Sequence, residues 1–261
     1  MGSLRTGDGS AITPAGGRRG QSRVVRIAKK FRTLGNRILE PFSLVGNHPL
    51  PDPTLFPWIS ELLASVPAIR AEAERIMRHQ QAMPPLRDFA PGHERITTAE
   101  AWRSFFLWGY GYPAPENLAR CPETARAVTR IPGMVTAMYS VMTSGAHVLR
   151  HKGVTKAMLT LHIGLMIPRD ATRCRMDVDG HEVVWREGKP MVFDDTYPHE
   201  VWNDTAESRV ILLIQFLRPL RQPGKAIARA LFWAIQRTGF VQRARRNLSH
   251  WERLYAAAER R

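Results

Sequence analysis

The chain has 261 residues and a net charge of +15, with 38 Lys and Arg against 23 Asp and Glu. That length can bury a substantial core, and the composition excludes fibrous, collagenous and wholly disordered classes. Cys121 and Cys174, the only cysteines, are too few for a disulfide scaffold and lack zinc-type CxxC spacing, so both are read as free thiols in a reducing compartment.

The charge is uneven. Residues 1–33 hold eight Lys and Arg against Asp8, and residues 218–261 hold eleven against Glu252 and Glu259, which leaves the middle near neutral. The ends, not the core, seek an acidic partner. Neither a secretory apolar segment nor a membrane-spanning apolar run is evident, so the expected location is the cytoplasm or the inner face of a membrane.

In chain order, residues 1–22 are Gly-, Ser- and Arg-rich without an apolar period and read as a disordered leader, and Arg23 to Leu39 suits a short basic helix. From Pro57, the positions Ile59, Leu62, Leu63, Val66, Ile69, Ala73 and Ile76 recur at helical spacing, with Pro67 kinking or splitting the helix. Thr97 and Glu100 form a capping box that predicts a helix over Ala101 to Leu107, and another is expected over Pro122 to Ile131.

The period then changes. Seven segments, 134–142, 147–151, 158–167, 182–185, 191–193, 199–203 and 210–217, are short, rich in β-branched or aromatic residues and separated by Gly, Pro, Asp and Asn. They predict a mainly β fold with α additions, a double-stranded β-helix (jelly roll, cupin-like) flanked by N- and C-terminal helices. Helical periodicity returns with Ile227, Leu231 and Ile235, then Leu248, Trp251 and Tyr255, each set interleaved with arginines. The expected organisation is a basic leader over 1–33, a domain over 34–220 with its jelly-roll core at 134–218, and a basic helical tail over 221–261.

Within the strands, His151 and His199 are followed by Arg209. A mononuclear oxygenase iron favours imidazole nitrogens with vacant positions beside them, usually two histidines and one carboxylate. Here His151-Lys152-Gly153 places a glycine where the carboxylate would stand. Histidines on neighbouring strands can equally serve hydrogen bonding alone. Arg209 favours the metal reading, because it opens the most apolar strand of the chain, and a charge entering a core needs a partner such as the far carboxylate of a dicarboxylate cosubstrate.

The motifs Tyr139-Ser140-Val141-Met142, Gly145-Ala146-His147-Val148, His151-Lys152-Gly153 and Leu161-His162-Ile163-Gly164-Leu165, with Trp185, Glu187-Gly188-Lys189 and Phe193-Asp194-Asp195-Thr196 leading to His199-Glu200-Val201-Trp202-Asn203, carry a resemblance. Together with weaker agreement upstream, over roughly residues 55–220, the chain resembles the aspartyl/asparaginyl β-hydroxylase family, which includes the lipid A hydroxylases. The resemblance implies that His151 and His199 bind Fe(II), with Gly153 at the position where related oxygenases place a carboxylate and several family members a water. It implies that Arg209 pairs with 2-oxoglutarate, that Ser140, Met142, His162 and Trp102 line the cosubstrate pocket, and that O2 is the oxidant.

The chain departs from the family at Thr160, where an arginine is usual, and Lys156 is either a replacement cation or a solvated turn residue. Asp194 and Asp195 are expected to hold the turn before His199. His147 and His181 receive no role.

The resemblance implies hydroxylation of an unactivated C–H bond, on a lipid A acyl chain or a related substrate. The alternatives are β-hydroxylation of Asp or Asn in a peptide or as the free amino acid, and a non-catalytic jelly-roll binding module. The basic ends, with Leu231, Phe232, Trp233 and Ile235 beside Arg229 and Arg237, suit either an anionic membrane surface or helices packed on the barrel with their arginines in water. Nucleic acid is an unfavoured partner, since no recognition motif accompanies the charge.

Overall fold

A computed structural model describes residues 33–86, 97 and 101–260; the leader, most of the basic helix and Glu100 of the capping box lie outside them. The fold is mainly β with helices at both ends. One sheet contains β1 (Trp102–Gly109), β2 (Tyr112–Pro113), β3 (Met134–Met142), β5 (Met158–Met166), β8 (Pro190–Phe193) and β10 (Arg209–Leu217), in the order β2-β1-β3-β10-β5-β8. The other contains β4 (Ala146–His151), β6 (Cys174–Val178), β7 (His181–Val184) and β9 (His199–Asn203), in the order β4-β9-β6-β7. From β3 onward the chain passes between the sheets so that β3-β10-β5-β8 faces β4-β9-β6-β7, the double-stranded β-helix expected from the strand spacing.

The large sheet is buried on both faces, so its strands are almost continuously apolar. Tyr139, Leu161 and Leu212 point to an outer core shared with helices, whereas Met138, Met142 and Leu213 point between the sheets. In the small sheet, β6 and β9 alternate buried and half-buried residues, because one face meets water.

Helices α1 (Trp58–Ala64) and α2 (Val66–Met77) are the two pieces into which Pro67 divides the predicted helix, the proline being placed in the first turn of α2. Ile69, Ala73 and Ile76 bury the inner stripe of α2 in the outer core. Two more helices, α3 (Pro115–Arg120) and α4 (Pro122–Thr129), follow β2. Proline at their starts leaves backbone donors to be satisfied from outside. Buried Glu72 accepts from the Glu123 and Thr124 amides at 2.8 Å, and Glu252 accepts from the Glu116 and Asn117 amides.

The structure corrects the helix expected over Ala101 to Leu107, which is strand β1, paired antiparallel with β3 from Trp102↔Met142 to Trp108↔Ala137. Phe105 packs outward and Phe106 inward, a demand for burial on two faces that a strand of aromatics meets and that outweighs the local capping signal. The strands read from sequence also omit β6.

The C-terminal helices α5 (Gly224–Gln236) and α6 (Gly239–Glu259) pack on the barrel. Helix α6 wraps the β1 edge: Ala244 and Leu248 join the inner core beside Phe106, while Tyr255 stacks edge-on to Phe105 and donates to the Ile76 carbonyl at 2.9 Å. No described helix is long and apolar enough to cross a membrane.

Candidate active site

Between the sheets lies a cavity of about 650 Å³ whose lining includes every candidate site residue: Trp102, Ser140, Met142, His151, His162, His199 and Arg209. The alternation of β3 explains part of this, since Thr136, Met138, Ser140 and Met142 all face inward along one strand.

His151 and His199 are brought together by an irregularity in pairing. Val148 stands opposite Val201, but the next pair is His151↔His199, so β4 contributes one extra residue. In unbroken register Arg150 would stand opposite His199. The bulge re-aims the strand end and leaves the imidazole centroids 4.1 Å apart.

Each ring donates from Nδ1 to a backbone carbonyl, His151 to Leu149 at 2.8 Å and His199 to Tyr197 at 3.0 Å. A carbonyl only accepts, so these bonds place the proton on Nδ1 and leave both Nε2 lone pairs for a ligand. Burial lowers the pKa of both residues; for His199, burial and then the charge of His151 bring it down to about 4. Neutral imidazoles with fixed tautomers are the form that binds a metal.

A third protein ligand is absent among the described residues, where no three His, Cys, Asp or Glu side chains converge on one point. At Gly153 the reason is steric, because a Cβ there would sit 2.0 Å from Asp195 Oδ1. The Asp195 carboxylate already fills the space into which a residue-153 carboxylate would grow. The site therefore fits a metal held by two histidines with open positions.

Deeper in the cavity, Arg209 is 2% exposed and forms no ion pair among the described residues. Its guanidinium lies 4.5 Å from the Trp185 ring and donates to Ser140 Oγ at 3.3 Å, while its Nε has no partner. Burial lowers its pKa to about 10. Trp102 Nε1 also donates to Ser140 Oγ, at 2.9 Å, which leaves the serine proton free to donate.

Trp185 Nε1 donates to His162 Nδ1 at 3.3 Å, so the His162 proton sits on Nε2, which is buried without a partner. Three donors on residues that line the cavity thus have no acceptor among the described residues. Unpaired buried donors are costly, and an anion with several acceptor oxygens relieves all three. This geometry fits a dicarboxylate.

Neither expectation for Lys156 holds. It is 6% exposed and pairs with Asp194 at 3.1 Å, beside Arg218, outside the cavity lining. Thr160 lines the cavity as a neutral residue. Asp194 serves the turn as expected, accepting from the Thr196 amide and hydroxyl. Asp195 instead lines the cavity, its carboxylate lying against Gly153 and accepting from Gln215 Nε2 at 3.4 Å. His147 lies at the surface on Trp202 and bonds Glu200. Trp185, a motif residue with no expected role, supplies the face beneath Arg209; Tyr110, Phe106, Ile235 and Phe240 also line the cavity, with no local sequence signal to reveal them.

Burial, and then the charge of Asp194, push the Asp195 carboxyl up to about 7 from 3.8. Between those values the folded protein binds a proton that the unfolded chain has released, so stability from this group is complete below the unfolded value and is lost as pH rises through 7. Asp195→Asn is therefore expected to stabilise the metal-free protein, with no gain below the ordinary carboxyl pKa and a gain on the order of a few kcal/mol above neutrality. Denaturant unfolding of both proteins across the pH range checks this; a gain independent of pH would refute it.

Residues 64–219 match the aspartyl/asparaginyl beta-hydroxylase family. The chain is 37% identical over 219 residues to the ornithine lipid ester-linked acyl 2-hydroxylase of Rhizobium tropici, covering 84% of this chain and 78% of that protein. It is 31% identical over 140 residues to the human aspartyl/asparaginyl beta-hydroxylase, covering 52% of this chain and 18% of the human protein. Among solved structures, a Pseudomonas putida prolyl-4-hydroxylase aligns over 59% of this chain and 87% of its own, with 21% identity and a TM-score of 0.36.

Proposed function

This chain belongs to the aspartyl/asparaginyl β-hydroxylase family, and from that premise we propose that it is an iron(II)- and 2-oxoglutarate-dependent dioxygenase that hydroxylates the acyl chain of a membrane lipid. The observation that carries the proposal is the pairing, in one cavity, of two imidazoles bearing free Nε2 atoms with three unpartnered donors from Arg209, Ser140 and His162. His151 and His199 would hold the metal. Arg209 and Ser140 would take one carboxylate of 2-oxoglutarate, with His162 donating nearby and Met142 and Trp102 walling the pocket.

When bound, iron(II) with 2-oxoglutarate and O2 supplies the oxidation, in which the oxo acid becomes succinate and CO2 and the second oxygen atom is inserted into a C–H bond to give an alcohol. The chain's own contribution is to orient and to exclude water. The backbone bonds at Nδ1 fix both imidazole planes, Trp185 and Ser140 fix the guanidinium, and the apolar lining keeps the cavity dry.

Support for an acyl substrate comes from the lining. Besides Arg209, its only Lys or Arg among the described residues is the exposed Lys152, and Thr160 is neutral. A peptidyl aspartate would find little to pair its side chain, whereas a hydrocarbon would meet Met138, Met158, Leu213 and Phe106. The Rhizobium tropici relative is named for the 2-position of an ester-linked acyl chain, and that position on an ornithine lipid is the specific substrate proposed; lipid A is the second arm of the test.

The test is mass spectrometry of ornithine lipid, lipid A, Asp- and Asn-containing peptides and free amino acids after incubation with protein, iron(II), 2-oxoglutarate and O2. One added oxygen on an acyl chain supports the proposal. One on Asp or Asn replaces it with β-hydroxylation, and no succinate with any substrate replaces it with a binding module.

A lipid substrate also gives the basic tail a role, at the inner face of an anionic membrane. Arg229 and Trp233 are exposed at successive turns of α5, Arg237 caps its C-terminal end and is also exposed, and Arg237 stacks 3.5 Å from the Trp233 ring. Each cation near anionic lipid contributes on the order of 1 kcal/mol. Because α6 buries Val241, Leu248 and Tyr255, the test is substitution and not truncation. Arg229→Glu with Arg237→Glu should weaken sedimentation with phosphatidylglycerol vesicles at least about tenfold; unchanged binding would return this stripe to bulk water.

A further inference from the structure

The cavity extends past the edge of the eight-stranded barrel. The small sheet covers β3, β10, β5 and β8, whereas the inward face of β1 is covered by α6, whose Ala244 and Leu248 join one apolar cluster with Phe106, Leu86 and Met138. The α5–α6 corner adds Ile235 and Phe240 to the cavity lining, opposite Tyr110. One side of the lining thus includes Leu86, Phe106, Tyr110, Met138, Ile235 and Phe240, with the neutral Thr136 and Thr238 alongside them and no charged side chain in this set.

This wall is built, not incidental. Gln236 Nε2 donates to the Tyr110 carbonyl at 2.9 Å, and the rings of Tyr110 and Phe240 meet edge-on at 5.7 Å. Gln242 Nε2 donates to Tyr112 Oη at 3.2 Å, and the Arg245 guanidinium lies 4.5 Å from the same ring. Between the two tyrosines Gly111 has φ +82°, and a Cβ there would come within 2.6 Å of Gln236 Nε2. The positive φ is what favours glycine at this turn, and a side chain there would also displace the Gln236 amide from its bond to Tyr110.

We propose that this chamber is the acyl-chain subsite and that Ile235 and Phe240, both outside residues 64–219 matched by the family, are specificity-determining residues that grip the methylenes beside the reacting carbon; the proposal rests on the acyl-hydroxylase reading above. A peptide entering the chamber would bury backbone donors and acceptors against hydrocarbon with few partners, which is costly. Burying a methylene instead strengthens binding about fourfold each. The chamber selects for a hydrocarbon chain, and its selector is the C-terminal helix pair.

The experiment uses the full chain and a long-chain acyl ester carrying a fluorescent polyene as probe. Ile235→Trp, which fills the chamber, is expected to weaken probe binding about tenfold or more while 2-oxoglutarate affinity stays unchanged. Phe240→Ser, which places a hydroxyl in the wall, is expected to act in the same direction should the tryptophan variant fail to fold. Probe affinity unchanged in a folded variant overturns the subsite. Probe loss in both variants, without oxygen added to any lipid by the wild-type protein, upholds the chamber and sinks the catalytic reading. Hydroxylated lipid formed with unaltered chain-length preference by both variants sinks the chamber alone.

Discussion

His199→Ala is expected to abolish iron-dependent succinate release while leaving the barrel folded. With two imidazoles converging, no third candidate ligand among the described residues and glycine at position 153, loss of one leaves His151 as the sole protein ligand. Folding should survive, because the His199 ring forms a single polar bond, to the Tyr197 carbonyl, and sits at a strand end. Iron content after gel filtration, succinate release and the thermal midpoint together check this. Turnover at the wild-type rate would remove His199 from the ligand set, and His151→Ala should behave alike.

Replacing Arg209 with methionine should separate binding from stability. A carboxylate that loses its buried cationic partner forfeits about 2–5 kcal/mol, so the KM for 2-oxoglutarate is expected to rise roughly 30- to 5,000-fold. The cosubstrate-free protein should be no less stable and is expected to gain, since an unpaired guanidinium buried in the core gives way to an apolar side chain of similar length. Arg209→Lys keeps a charge but not the two-pronged donor geometry, so it should fall between the two. An unchanged KM with a lowered midpoint would show Arg209 to be a structural residue.

Much of the site was legible because its residues lie in short contiguous motifs. His151-Lys152-Gly153 and the run from Phe193 to Asn203 mark the candidate metal region, and Arg209 stood out as a charge at the head of an apolar strand. Lys156 misled, because a lysine near a motif reads as a replacement cation or a solvated turn residue until Asp194 and Arg218 are seen around it. Thr97 and Glu100 misled in another way: the local capping pattern was genuine, but pairing with β3 and burial of Phe105 and Phe106 on opposite faces outweighed it. β6 was readable, since Cys174-Arg175-Met176-Asp177-Val178 alternates with period two.

By itself the sequence determined most strands of the barrel core, the jelly-roll class and the identity of the metal-binding candidates, because periodicity and motif are properties of neighbouring residues, while β1, β2 and β6 were set by pairing within the sheets. Tertiary structure decided what those candidates face. The bulge that sets His151 against His199, the carboxylate that fills the space beside Gly153, and the corner that brings Ile235 and Phe240 to Tyr110 each join residues distant along the chain. Such contacts depend on register and packing, and a shift of one residue in β4 would have put Arg150, not His151, across from His199.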